Sequence, residues 1–147
     1  MNNPFSGVGV ALVTPFKKDM SIDFDALRKL VQLQILGGTN FLVVQGTTGE
    51  SPTLSQEEKM EILKTVIDEN SGKLKVVYGL GGNNTHAIGE LLKVFLSIQK
   101  LMVFFLFHHT TINQHKMALL SILNTFQAVQ NYRLSYIMFL EEPVQIC

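Results

Sequence analysis

The sequence predicts an α/β fold carried on a parallel sheet. Three observations lead there. An apolar run, a glycine-bearing loop and a helical pattern recur three times at a spacing of about 33 residues. The runs are too continuously apolar for strands with one wet face, so they read as strands buried on both sides. The helical segments between them open on side chains that cap helices. Parallel strands need long crossovers, and helices of this length provide them.

The elements follow in order. Gly9 to Thr14 is a short apolar run closed by Pro15 and predicts the first strand. Ser21 to Asp25 opens a helix with Asp23 as N-cap, and Leu27, Leu30, Val31 and Leu33 form its apolar stripe. Gly37-Gly38 ends it. Phe41-Leu42-Val43-Val44 is the second strand, and the loop Gly46-Thr47-Thr48-Gly49-Glu50-Ser51 follows. Ser55 and Glu58 make an S-x-x-E capping box for a helix ending near Asp68. Leu74 to Tyr78 is the third strand and runs into Gly79-Leu80-Gly81-Gly82-Asn83-Asn84, with Thr85 capping a third helix through Leu92. Beyond Lys93, Leu101 to Phe107 predicts a fourth strand and Met117 to Val129 has helix-like spacing, though turn chemistry bounds neither. A barrel and an open doubly wound sheet fit this pattern equally well. In both, ligands meet the loops at the C-terminal ends of the strands.

Composition narrows the classes. The 147 residues suit one domain, and the formal net charge is zero, so nothing favours a nucleic-acid partner. The single cysteine, Cys147, supports neither an internal disulfide nor a thiolate metal site, which predicts a cytoplasmic setting. The start lacks the basic and apolar regions of a secretory signal. The longest apolar run, Leu101 to Phe107, is far short of the roughly 20 residues that span a bilayer, so no membrane is expected.

The average conceals a break. All eleven glycines lie between Gly7 and Gly89. Ordinary usage of ~7% would put about four in the rest of the chain, which has none. The aspartates Asp19, Asp23, Asp25 and Asp68 all lie in the first half, whereas His108, His109 and His115 lie in the second. From Leu101 onward only Lys116, Arg133, Glu141 and Glu142 are charged.

Gly46-Thr47-Thr48-Gly49-Glu50 is the most informative stretch. Its two glycines permit a tight turn with converging N–H groups, and its hydroxyls can donate to a carboxylate or relay a proton. It reads equally as an ordinary βα turn with a cap. It is not a P-loop, which demands a lysine where Glu50 stands. Gly7-Val8-Gly9 precedes its strand and Gly79-Leu80-Gly81-Gly82 lacks a convincing third glycine, so both predict close backbone approach rather than a nucleotide fingerprint. Asn83-Asn84-Thr85 matches a glycosylation sequon without a secretory context. The adjacent histidines would point to opposite faces of a strand with no thiol or carboxylate to complete a metal site, and none is expected. Cys147 has no context that would make it a nucleophile.

Gly9-Val10-Ala11-Leu12-Val13-Thr14-Pro15-Phe16, Gly46-Thr47-Thr48-Gly49-Glu50-Ser51-Pro52-Thr53-Leu54 and Gly79-Leu80-Gly81-Gly82-Asn83-Asn84-Thr85 together resemble dihydrodipicolinate synthase, also called 4-hydroxy-tetrahydrodipicolinate synthase. The resemblance covers about residues 5 to 93, and sister aldolases such as N-acetylneuraminate lyase share part of it. It implies a (β/α)₈ TIM barrel, commonly a homotetramer, that condenses pyruvate with aspartate semialdehyde through a lysine Schiff base in lysine and diaminopimelate biosynthesis. It implies no cofactor. By resemblance Thr47 belongs to a threonine–tyrosine proton relay and Thr48 hydrogen-bonds the pyruvate carboxylate. The N–H groups of the Gly46–Gly49 loop assist it, and Ala11 lines the pocket floor.

The chain departs from the family after residue 93. The expected P-Y-Y-N-K-P-T and Y-N-V-P-G-R-T-G segments with the relay tyrosines are missing, and the chain reaches Cys147 before the Schiff-base lysine. Reading the last base of each codon with the first two of the next recovers them. Met102-Val103 and Met117-Ala118 each force a glycine, and Met138-Phe139 forces a valine. Lys100 to Ala118 then permits Ala-Asp-Gly-Ile-Leu-Ser-Val-Ser-Pro-Tyr-Tyr-Asn-Lys-Pro-Thr-Gln-Asp-Gly, and Tyr136 to Val144 permits Tyr-Asn-Val-Pro-Gly-Arg-Thr-Gly. The expectation is a one-base loss, or a two-base gain, between about Val94 and Lys100.

Residues 1–93 are thus expected to be the N-terminal part of a class I aldolase barrel, and 94–147 an out-of-frame tail. An incomplete (β/α)₈ barrel of about three to four βα units leaves an open sheet edge, which predicts poor solubility, a molten state or edge-covering oligomers. Two functions follow: a pyruvate aldolase by family, with this polypeptide itself inactive, or a non-catalytic α/β fragment that binds an anion or a homologous subunit. A nucleotide-binding domain would need a lysine or an acidic ribose contact that is not found.

Overall fold

The computed structural model describes residues 6–81, 90–91 and 101–105. Four strands, β1 (Gly9–Ala11), β2 (Phe41–Val44), β3 (Lys75–Leu80) and β4 (Leu101–Phe105), form one sheet in the order β1-β2-β3-β4. Every neighbouring pair is parallel. A doubly wound sheet reverses its order at a switch point. This sheet advances in chain order without reversal, as the wall of a barrel does.

Helix α1 (Phe24–Leu36) begins where Asp23 accepts a hydrogen bond from the Ala26 N–H at 2.9 Å, which satisfies one of the orphan donors of the first turn. Gly37 remains in the right-handed region, and Gly38, at φ +75°, makes the left-handed turn that ends the helix. Helix α2 (Gln56–Asn70) opens on the capping box: the Glu58 N–H donates to Ser55 Oγ, and Glu58 Oε2 accepts from the Ser55 N–H at 2.8 Å. It runs two residues beyond the expected end at Asp68. The extension holds because Asn70, buried, clamps the entry to β3: its Nδ2 donates to Leu74 O and its Oδ1 accepts from Leu74 N.

Side chains alternate across each strand and so divide into two sets. Val10, Leu42, Val44, Val76, Tyr78 and Leu80 meet Leu27 and Val31 of α1 and Ile62, Leu63 and Val66 of α2 in one hydrophobic cluster. The opposite face carries Gly9 and Ala11, Phe41 and Val43, Val77 and Gly79. Leu33, expected in the α1 stripe, is 62% exposed. It lies six residues beyond Leu27, about 240° round a 3.6-residue helix and away from the sheet. Ile35 takes its place against the core.

Two strands also differ in extent from expectation. β1 stops at Ala11 rather than Thr14, although Leu12 N still donates to Val43 O at 2.9 Å. β3 continues through Gly79 and Leu80, which were expected in the loop. β4 is described over Leu101–Phe105; Leu106 and Phe107 lie outside the described residues, as do the predicted helix over 117–129 and all but Glu90 and Leu91 of the third helix. Glu90 and Leu91 are helical, and Leu91 packs against the core. No helix among the described residues is long and apolar enough to cross a membrane.

Burial pushes the Tyr78 phenol up to about 12. In the unfolded chain it ionises near 10, so the fold keeps its full stability below that pH. Stability is then lost as the pH rises from about 10 to about 12, by about 3 kcal/mol. Tyr78→Phe keeps the ring and removes this part of the slope. Urea unfolding of both proteins from pH 8 to 11 should show their difference changing only above pH ~9.5.

Candidate functional site

The C-terminal ends of β1, β2 and β3 meet around one loop. After β2 the chain turns sharply: Gln45 sits at φ +59°, and Gly46 begins a short 3₁₀ turn over Thr47–Gly49. Glu50, at φ +53°, turns the chain again into a second 3₁₀ turn, Ser51–Thr53, which leads to α2. The loop braces itself. Gly49 N donates to Gly46 O at 3.0 Å, Glu50 N to Thr47 O at 3.2 Å, and Thr53 Oγ1 to Glu50 O at 2.8 Å.

It is fastened on both sides by backbone contact. On the β1 side the Thr14 hydroxyl, buried, donates to Gly49 O at 2.7 Å. A Cβ on Gly49 would stand 3.3 Å from Leu12 O, so the loop lies flat against the exit of β1. On the β3 side a Cβ on Gly79 would stand 2.6 Å from Gln45 O and 2.9 Å from Gly46 Cα. Glycine at position 79 is a condition of this geometry. The Gly7-Val8-Gly9 stretch is likewise a place of close approach. Cβ atoms there would overlap the Asn40 side chain and the Phe41 ring, and Asn40 Oδ1 accepts from Val8 N at 2.7 Å.

The expected site residues fall into this frame. Gly46 and Gly49 are buried and shape the turn; Thr47 and Thr48 are exposed at its tip. The N–H groups and hydroxyls of Thr47 and Thr48 have no hydrogen-bond partner among the described residues. Successive free N–H groups with adjacent hydroxyls make a neutral cradle for an anion. Ala11 is the last residue of β1 and half-buried. It lies in register with Val43 and Val77 on the face turned away from the helices.

Two features were missed from sequence. Thr14 anchors the loop across 35 residues of chain. Gln45 is only 3% exposed, and neither its Nε2 nor its Oε1 has a hydrogen-bond partner among the described residues. A buried unpaired amide costs about 1–3 kcal/mol, and a left-handed backbone at a non-glycine residue about 1–2 kcal/mol more. The available signal was a polar residue between an apolar strand and a glycine loop.

Some residues are excluded by position. Tyr78, the only tyrosine among the described residues, lies in the helix-facing cluster and not on the face of Ala11. Lys75 is exposed at the start of β3, about five residues or ~16 Å from the loop end of the sheet. His108, His109, His115, Lys93, Asn83 and Cys147 lie outside the described residues.

The model of the dihydrodipicolinate synthetase family matches residues 4–93. The 4-hydroxy-tetrahydrodipicolinate synthase of Flavobacterium psychrophilum is 56% identical over 89 residues, which are 60% of this chain and 30% of that protein. The chain thus spans about a third of the length of the curated relatives it matches. A chloride-inhibited dihydrodipicolinate synthase of Acinetobacter baumannii, solved with pyruvate, superposes with a TM-score of 0.72 at 31% identity, over 81% of this chain and 42% of that one. N-acetylneuraminate lyase of Mycoplasma synoviae shares the fold, with a TM-score of 0.70 at 24% identity over 83% of this chain and 44% of that one.

Proposed function

This chain belongs to the dihydrodipicolinate synthetase family, and we propose that its first 93 residues are the opening βα units of a pyruvate-binding class I aldolase barrel. The observation that carries the reading is the loop at the ends of β1, β2 and β3, where Thr47 and Thr48 hold unused donors. Pyruvate is an anion, and its carboxylate can accept from the Thr48 hydroxyl and from loop N–H groups. Thr47 stands beside it as the first member of a proton relay. In the complete barrel a lysine amine attacks the keto carbon and expels water. The resulting imine stabilises the carbanion that adds to aspartate semialdehyde. Every residue of this chain in that scheme binds or relays; none supplies the amine. The reaction, its cytoplasmic setting, the aldehyde partner and assembly as a homotetramer come to this chain through the family.

Residues 94–147 we read as an out-of-frame tail. The family match runs out at residue 93, where the composition also changes. The tail as translated holds Tyr132 and Tyr136 but neither tyrosine segment of the family.

Two measurements on the 147-residue polypeptide test the proposal. Pyruvate titrated against it should shift the amide resonances of Gly46 to Gly49. Thr48→Val should weaken binding roughly tenfold, the ~1.4 kcal/mol of a hydrogen bond to a charged acceptor. Borohydride with labelled pyruvate should leave the polypeptide unlabelled. Shifts confined to other loops, or covalent label on Lys75 or Lys93, would refute the reading.

A further inference from the structure

Gln45 combines two unfavourable features in one residue. Its backbone is left-handed, and its amide is buried with both polar atoms unpaired among the described residues. It directly precedes the loop whose own donors are free, and its carbonyl is pressed against Gly79. Strained backbone clusters at ligand sites, and a ligand that hydrogen-bonds a buried orphaned amide offsets the amide's desolvation cost.

We infer that Gln45 is a substrate-binding group of this site, donating from its side-chain Nε2 to a carboxylate oxygen of the bound keto acid. This rests on the pyruvate reading of the loop and adds a residue to it. The chemistry suits the position. A carboxylate only accepts, and Nε2 carries two donors. The amide is neutral, so it holds the anion without placing a buried cation beside the carbon that an amine must attack. Water entering with the ligand donates to Oε1, which leaves no part of the amide unpaired in the complex.

The test uses the 147-residue chain with Gln45→Met, Gln45→Glu and Thr48→Val, and pyruvate as the probe. Gln45→Met keeps the length of the side chain and removes the unpaired polar atoms. Without ligand it should melt roughly 3 °C higher than the unsubstituted chain. Its pyruvate affinity should fall roughly fivefold or more. Gln45→Glu sets a negative charge against the carboxylate and should abolish detectable binding. A Gln45→Met protein that melts lower shows an amide held by the protein itself, and overturns the inference. So does unchanged pyruvate affinity in either Gln45 variant. If Thr48→Val loses binding while Gln45→Met keeps it, the loop reading stands and this inference falls. If the unsubstituted chain binds no pyruvate, the loop reading falls and takes this inference with it.

Discussion

Gly79→Ala is expected to cost the fold about 3 kcal/mol and to push the Gly46–Gly49 loop off the end of β3. The added methyl would meet Gln45 O at 2.6 Å, Gln45 C at 2.9 Å and Gly46 Cα at 2.9 Å. All three are backbone atoms, so no rotamer change relieves them. β2 and β3 pair in register up to Val44 and Tyr78, one residue before the collision. The strands must therefore splay where the loop begins. Gly38 and Gly72 are the controls. Both have positive φ, at +75° and +77°, but an added Cβ meets nothing within 4 Å. Alanine there strains only the backbone, at about 1 kcal/mol. Urea unfolding should rank Gly79→Ala well below Gly38→Ala and Gly72→Ala, and Gly79→Ala alone should move the amide resonances of residues 46–49. Equal losses at the three positions would mean that β3 does not abut the loop.

That contact shows where the sequence could be read and where it could not. The caps at Asp23 and at Ser55 with Glu58 were legible because their partners lie three residues away. The strands Phe41–Val44 and the core of β3 were legible because both faces are apolar. The bond from Thr14 to Gly49 spans 35 residues of chain, and no local pattern announces it. Gly79 looked like loop because glycine is usually turn chemistry. In the fold it is strand, since a neighbouring backbone occupies the space of a side chain. Gln45 looked like the end of a strand, and only the left-handed turn buries its amide. In the candidate site, Thr47, Thr48, Gly46, Gly49 and Ala11 were proposed because the motif marks them. The residues that hold the motif in place were not.

Sequencing the locus is expected to show one base lost, or two gained, between codons 94 and 100, and correcting it should turn pyruvate labelling from absent to complete. The described part of the tail bears on this in one respect. β4, Leu101–Phe105, pairs in parallel register with Val76–Leu80 although it lies beyond the family match. The genetic code gives a reason. Codons for Phe, Leu, Ile and Val share T at the second base, and a T-rich strand stays apolar when read one base out of step. A shifted frame can therefore preserve a strand while erasing the glycines, prolines and tyrosines on either side of it. Restoring the frame rewrites Leu101-Met102-Val103 through codons that must give a glycine at the second junction. It also permits the Pro-Tyr-Tyr-Asn-Lys-Pro-Thr segment just beyond the strand. The corrected frame, translated to wherever it next stops, should carry the Schiff-base lysine and take up label with borohydride. It should also unfold in one sharp thermal transition, because a closed sheet has no bare edge. The uncorrected polypeptide should unfold at a lower temperature and remain unlabelled. An intact frame through codons 94 to 100, or a corrected protein that captures no pyruvate, would remove the explanation of the tail.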